Sequence, residues 1–359
     1  MASHYAGENG STANGRVREI TVETLVQASK LTVGKNEHLD QYLKRVTHLT
    51  LNGNEKKVFK KIQLLEKCPN LKVLYMYDNE IETIENINCI PLLTHLHLQH
   101  NWIQKMEGME ALPLLEKLYI EGNRIPRLEG LGNCVYLQEL HMSNQNLAKS
   151  ETFSFDEATI QALSRSLQVL TLSNCRVTST RALTGLRSLR ELDLSRNEIS
   201  ELEDVCGLLS SLSSLVELDL RQNPVTNVPK YREKAMTFSS SRLALLDKKD
   251  VNANQRRMMQ SHLAHKFQKR QEAGASANQS TPDSSGAGSR TTAATAETIR
   301  KMKHGAVMHQ SRPVSISSSK GLPVPQWEKD SLGIAGAACS SSTSMVSARP
   351  ASGNNSKHY

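Results

Sequence analysis

The chain has 359 residues, of which 38% are hydrophobic and only 4% aromatic, and its formal net charge is +8. So thin a supply of large apolar side chains argues against one large globular core and for a thin repeat fold with a polar tail. No run approaches the ~18 consecutive apolar residues of a membrane helix, and the opening MASHYAGENGSTANG lacks the apolar stretch of a signal peptide, so a cytoplasmic protein that avoids membranes is expected.

In chain order, residues 1–19 read as a disordered leader and 20–45 as a helical cap, because TVETLVQASKL (21–31) and EHLDQYLKRV (37–46) are amphipathic. From Val46 to Val228 the pattern L-x-x-L-x-L-x-x-N-x-I recurs, as in LKVLYMYDNEI (71–81), LTHLHLQHNWI (93–103), LEKLYIEGNRI (115–125) and LRELDLSRNEI (189–199). That is the leucine-rich-repeat pattern. The positions Asn54, Asn79, Asn101, Asn123, Gln145, Cys175, Asn197 and Asn223 mark eight repeats, spaced by 25, 22, 22, 22, 30, 22 and 26 residues.

One repeat alone would expose its leucines, whereas stacking joins them into one apolar column. The expected fold is therefore an α/β solenoid, a leucine-rich-repeat horseshoe with a parallel concave sheet. The buried Asn is expected to satisfy backbone groups where the chain leaves each strand. Gln145 departs from that pattern and opens the longest repeat. Its insert carries helix signals, with Asp156 as cap and Phe155 and Ile160 at the staple positions of a helix over about 157–165.

After the repeats, 229–250 reads as a carboxyl cap in which Tyr231, Met236 and Leu243 cover the last turn. Residues 251–274 read as a basic helical extension with Met259, Leu263 and Phe267 at four-residue steps. Residues 275–359 are rich in Ser, Ala, Gly and Thr, cannot repay their ordering entropy and are expected to be disordered. The positive charge gathers in 256–270 and 299–304, as in a solvated or microtubule-contacting flank, with no specific nucleic-acid reader implied.

Strand alternation puts the residue between the two leucines of L-x-L on the concave face, with its neighbours two before and two after. The central residues are Tyr75, His97, Tyr119, His141, Thr171, Asp193 and Asp219. Adding Tyr77, Glu121 and Glu139 gives a face that is Tyr/His in its first half and acidic in its second. Tyr75, Tyr77, His97, Tyr119, Glu121, Glu139, His141, Asp193 and Asp219 are the candidate partner contacts. Mildly acid pH is expected to charge the histidines and alter partner affinity.

His95, His97 and His141 do not make a zinc site, because the third ligand lies ~9–10 Å away across two strand spacings. The six cysteines are scattered singly and read as reduced core thiols. There is no phosphate loop and no nucleophile elbow, so no catalytic residue, cofactor or metal is expected and the chain is read as a binding protein.

The motifs IETIENI (81–87) and IPRLEGL (125–131), with the ending NPV…YR…LD, resemble the SDS22-like family of leucine-rich repeats. LYMYDNEI (74–81), HLHLQHN (95–101), the insert with its FD (155–156) and NPV…PKYR (223–232) are similar to that family's branch of protein phosphatase 1 regulatory subunits. The resemblance covers about residues 20–260. It implies a regulatory scaffold that holds the phosphatase 1 catalytic subunit on its concave face and associates with tubulin, microtubules and the centrosome. It also implies placement in the cytoplasm and cytoskeleton, extending to cilium or sperm manchette. The alternative is a ciliary or dynein-associated scaffold without phosphatase regulation; a third reading, an RNA-associated adaptor related to the spliceosomal leucine-rich-repeat protein, is disfavoured because the aromatic RNA-facing partner domain is missing. The phosphatase's usual short docking pattern, a basic residue then Val-x-Phe, is absent, since KKVFK (56–60) has Val and Phe adjacent.

Overall fold

The computed structural model describes residues 17–277 apart from 33 and 55, with side chains described to residue 271. The expected leader up to residue 16 and the expected disordered tail from residue 278, including Cys339, lie outside the described residues. Residues 17 and 18 do not belong to a disordered leader: Val17–Arg18 pairs in parallel with Val58–Phe59. Ile20 is buried just beyond them.

Helices α1 (Val22–Ser29) and α2 (Leu39–Lys44) lie ahead of the first strand of the main sheet. Thr21 caps α1 by accepting a hydrogen bond from the Thr24 N–H, and Lys30 ends it in the left-handed conformation. Leu25, Tyr42, Leu43 and Val46 are buried over the end of the leucine column. The Tyr42 hydroxyl has company there, donating to the Leu31 carbonyl at 3.0 Å.

Ten strands form the main sheet, numbered in chain order β1 (His48–Thr50), β2 (Val73–Tyr75), β3 (His95–His97), β4 (Lys117–Tyr119), β5 (Glu139–His141), β6 (Val169–Thr171), β7 (Glu191–Asp193), β8 (Glu217–Asp219), β9 (Leu245–Leu246) and β10 (Lys249–Asp250). β1 to β9 are parallel and sit side by side in sequence order, while β10 folds back antiparallel on β9. The register carries Thr50, Tyr75, His97, Tyr119, His141, Thr171, Asp193 and Asp219 into one row. Eight of these strands come from the repeats and β9 and β10 from the carboxyl cap.

Behind the sheet, short 3-10 turns and the helices α3 (Glu157–Leu163) and α4 (Leu202–Ser211) return the chain to the next strand. The column residues Leu51, Met76, Leu98, Ile120, Met142, Leu172, Leu194 and Leu220 are all buried. Each such burial contributes roughly 1.5–3 kcal/mol, and none is available to an isolated repeat. Asp156 caps α3 through the Thr159 N–H at 2.9 Å, with Ile160 buried beneath; the helix stops at Leu163, short of residue 165.

The polar ladder runs beside the apolar column. In Asn101 the amide Nδ2 donates to the carbonyls of Met76 and Leu98, and Oδ1 accepts from the Ile81 N–H, so one side chain ties two turns. Asn79, Asn123, Asn197 and Asn223 repeat the arrangement. Gln145, the departure in the sequence, does the same work with its longer arm, from Nε2 to Ile120 and Met142 and from the Ile125 N–H to Oε1. Cys175 supplies only half a rung. Its thiol donates to the Met142 carbonyl at 3.1 Å, and the Leu147 N–H turns back to Gln145 instead.

Just before each rung the backbone is left-handed, at Asp78, His100, Gly122, Asn144, Asn174, Arg196 and Gln222. That conformation costs an L-residue roughly 1–2 kcal/mol, a penalty the rung offsets.

The far end is closed by α5 (Tyr231–Phe238), with Tyr231, Met236, Leu243 and Leu246 buried. Helix α6 (Ala253–Ala277) follows, anchored where the buried Arg256 donates to the carbonyls of Leu243 and Ser241. Met259 packs against the core, and Leu263 and Phe267 are half-buried.

Candidate functional site

The row between the leucines becomes a ladder of rings on the open face of the sheet. Tyr75 stacks on His97 at 4.5 Å, His97 on Tyr119 at 4.3 Å and Tyr119 on His141 at 4.7 Å between centroids. The cause is register: parallel strands ~4.8 Å apart bring side chains of the same row to near stacking distance. The last two pairs are almost coplanar in orientation, at 5° and 1°. All four rings are half-buried, so each keeps an edge toward solvent.

Around the ladder the charges pair internally. Glu139 receives the Lys117 ammonium at 2.8 Å on one oxygen and the Tyr119 hydroxyl at 3.1 Å on the other, with His141 at 3.8 Å. Burial pushes the Glu139 carboxyl up, but the bonds from Lys117 and Tyr119 outweigh it and hold the pKa below the usual range. Glu121 moves the other way, with burial pushing it up. Its Oε2 and the Oε1 of Gln99 are buried without a hydrogen-bond partner among the described residues.

Burial, then the neighbouring His95 and His141, press the His97 pKa down to about 4. Burial also lowers His141, against the opposing pull of Glu139. His97 therefore stays neutral in mildly acid solution, contrary to the expectation from sequence, and His141 is shifted in the same direction. A solvent-exposed histidine charges easily, whereas one sandwiched between tyrosines loses its hydration.

The unfolded chain takes up protons below the ordinary value of 6.5, while folded His97 resists them until about 4. Stability is therefore expected to fall as pH drops through that window. His97→Gln should flatten the melting-temperature profile between those limits, by on the order of 1–2 kcal/mol after allowing for solvent screening. An unaltered slope would mean that the ring is not desolvated.

The acidic half is less acidic than its sequence suggests. Asp219 has 1% of its side chain exposed and is clasped by the Arg221 guanidinium at 2.7 Å. Burial pushes its carboxyl up, and the Arg221 side chain and N–H outweigh that and lower it. Asp219 is therefore a structural residue rather than a presented one. Glu217 is paired with Lys248 from the carboxyl cap. Asp193 stays half-exposed, its Oδ1 accepting the Ser195 N–H at 2.9 Å. The structure thus brings Tyr75, His97, Tyr119, Glu139 and His141 into one cluster, with Tyr77 and Glu121 beside it. Asp193 stands apart, two strands beyond His141.

The five described cysteines are free, and burial raises Cys68 and Cys206 to about 11 and Cys134 and Cys175 to about 12. They are packing groups rather than nucleophiles. Among the described residues no three His, Cys, Asp or Glu side chains are placed to hold a metal, and no helix is long and apolar enough to cross a membrane.

Comparison with known proteins follows the repeat. The pattern described as Leucine Rich repeats (2 copies) matches residues 165–207, and that described as Leucine Rich repeat matches 90–113. An internalin (InlF) of Listeria monocytogenes is similar over 65% of this chain and 70% of its own, at 21% identity and TM-score 0.46. Internalin C2 of the same organism is similar over 58% of this chain and 88% of its own, at 20% identity and TM-score 0.45. With a leucine-rich-repeat protein of Leptospira interrogans the identity is 20% and the TM-score 0.39, and the chain spans 54% of that protein's length. The two matched segments lie within the span of the parallel sheet, and the chain has the architecture of a leucine-rich-repeat solenoid.

Proposed function

We propose that a protein partner docks on the open face of the sheet, centred on Tyr75, His97, Tyr119 and His141. The observation that carries this reading is the continuous ladder of four stacked rings. A stack fixed by strand register has already lost its rotamer freedom, so a partner that covers it gains aromatic contact at little further ordering cost. The orphaned Glu121 and Gln99 oxygens favour the same face, because donors on a partner would satisfy them.

The SDS22-like motifs support a finer reading. In it the partner is the catalytic subunit of protein phosphatase 1, and the chain is a regulatory subunit similar to protein phosphatase 1 regulatory subunit 42. It would sit in the cytoplasm with microtubules and the centrosome, the exposed Arg257, Lys266, Lys269 and Arg270 of α6 adding affinity for acidic tubulin surfaces.

The test is a pull-down of the wild type beside Tyr75→Ala/Tyr119→Ala, probed for phosphatase catalytic subunit and for tubulin. The double variant is expected to weaken phosphatase capture at least ten-fold, as for loss of two central aromatic anchors. Capture unchanged by the variant overturns the face assignment. Tubulin without phosphatase overturns the regulatory reading in favour of a ciliary or dynein-associated scaffold.

A further inference from the structure

A second surface runs along the edge where the strands begin. The register aligns Val73, His95, Lys117, Glu139, Val169, Glu191, Glu217 and Leu245 as the first residues of successive strands. Three residues before each of them lies one further row, and its character changes once along the solenoid. In the turns before β3, β4 and β5 it holds Leu92, Leu114 and Tyr136, exposed by 38%, 38% and 57%. Val135, beside Tyr136, is exposed by 53%. Four of the seven large hydrophobic side chains exposed among the described residues therefore share one edge.

In the later turns the same row becomes serine and arginine, and the edge opens into a cleft of about 560 Å³. Arg165, Arg190 and Arg242 line it with Ser188, Ser214 and Gln168, and no carboxylate does. These three guanidiniums come from three different turns. Arg45, Arg127, Arg176, Arg181 and Arg221 each have an acidic partner, whereas Arg124, Arg187 and Arg196 have none among the described residues. Arg165, Arg190 and Arg242 have none among the described residues. Three cations lining one cleft with no carboxylate favour an anionic ligand, and the guanidinium fork fits the oxygens of a phosphate group.

We propose that this edge binds an extended segment of a partner protein that carries apolar side chains at one end and a phosphorylated serine or threonine at the other. The apolar side chains lie over Leu92, Leu114 and Tyr136, and the phosphate enters the arginine cleft. Two strand spacings, ~10 Å, separate the level of Tyr136 from that of Arg190. About three extended residues cover that distance. Phosphate is preferred over a carboxylate because one dianion with three free oxygens can engage several guanidiniums at once.

The test uses fluorescence anisotropy on the full chain with labelled hexapeptides that carry two leucines, a short Gly-Ser spacer and a phosphoserine, made in both chain directions. In at least one direction the phosphorylated peptide is expected to bind ten-fold or more tightly than its unphosphorylated and Glu-substituted forms. Arg190→Glu/Arg242→Glu should abolish that difference, and Leu114→Asp/Tyr136→Asp should weaken binding of the same peptide at least five-fold. Equal binding of the three peptide forms overturns the proposal. So does competition by inorganic phosphate alone at the peptide's own concentration, which would leave the apolar row without a role. Tyr75→Ala/Tyr119→Ala leaves this binding unchanged, so the edge and the ring ladder stand or fall separately.

Discussion

Gly53→Ala is expected to be the most damaging single methyl group in the amino-terminal half of the solenoid. A Cβ at residue 53 would sit 1.8 Å from the Asp78 carbonyl oxygen and 2.8 Å from its carbon, both backbone atoms of the next turn. The Gly53 N–H donates to the Tyr77 carbonyl at 2.9 Å, so this contact belongs to the seam that joins the first repeat to the second. Relief requires the two turns to part, which removes the bonds from Leu51 to Tyr75 and from Gly53 to Tyr77 and opens the leucine column beneath. The expected loss is at least about 4 kcal/mol.

In a stack held by nearest-neighbour contacts that loss falls locally. Hydrogen exchange should show α1, α2 and β1 unprotected while β4 to β8 retain protection. Gly132→Ala is the matched control, because nothing lies within 4 Å of its added methyl. Equal stability of the two variants would mean that the first repeat is not held against the second in this way.

Asn123→Ala is expected to cost about 3–4 kcal/mol and to lower the melting temperature by roughly 10 °C. The side chain donates to the carbonyls of Leu98, Ile120 and Glu121 and accepts from the Ile103 N–H, all within 3.2 Å. Alanine leaves the buried Ile103 N–H without its acceptor and takes one of two donors from each of the Leu98, Ile120 and Glu121 carbonyls, which keep Asn101, Gln145 and the His100 N–H. The cost therefore comes from desolvated backbone more than from lost contact area. Asn123→Asp should be no milder, since a carboxylate keeps the acceptor for Ile103 but sets negative charge against three carbonyl oxygens. Exposed Asn146, beside the next rung at Gln145, should tolerate alanine within about 0.5 kcal/mol. Thermal melts of the three variants decide the matter, and a loss below 1 kcal/mol for Asn123→Ala would deny the ladder its structural role.

The solenoid was legible because its code is local and repeated. Period-2 alternation about L-x-L assigns each side chain to one face, and the recurring Asn fixes the register of the next turn. Cap helices and the Asp156 cap also follow from neighbours a few residues apart. What escaped reading depends on side chains brought together from different turns. Alternation places Asp219 on the open face, yet Arg221 bends back over it and burial follows. Lys248, which pairs with Glu217, lies in the cap and outside the repeat pattern altogether. The neutral state of His97 likewise requires Tyr75 and Tyr119, one turn to either side, to close over its faces. The pairing of residues 17–18 with 58–59 spans too much chain for a local signal.

The half-rung at Cys175 gives the array a mechanical asymmetry. Every complete rung locks two turns through a water-free amide that both donates and accepts. Between β5 and β6 the thiol reaches only the Met142 carbonyl of the preceding turn, and the tie is shared by exposed groups: Asn174 on Asn144, and the partly accessible Arg176 guanidinium on the carbonyls of Ala148 and Lys149. Water and salt can compete for that arginine as they cannot for a buried amide. Under tension along its axis the stack is therefore expected to part first at this seam. The ring ladder ends at His141, and the seam falls immediately beyond it.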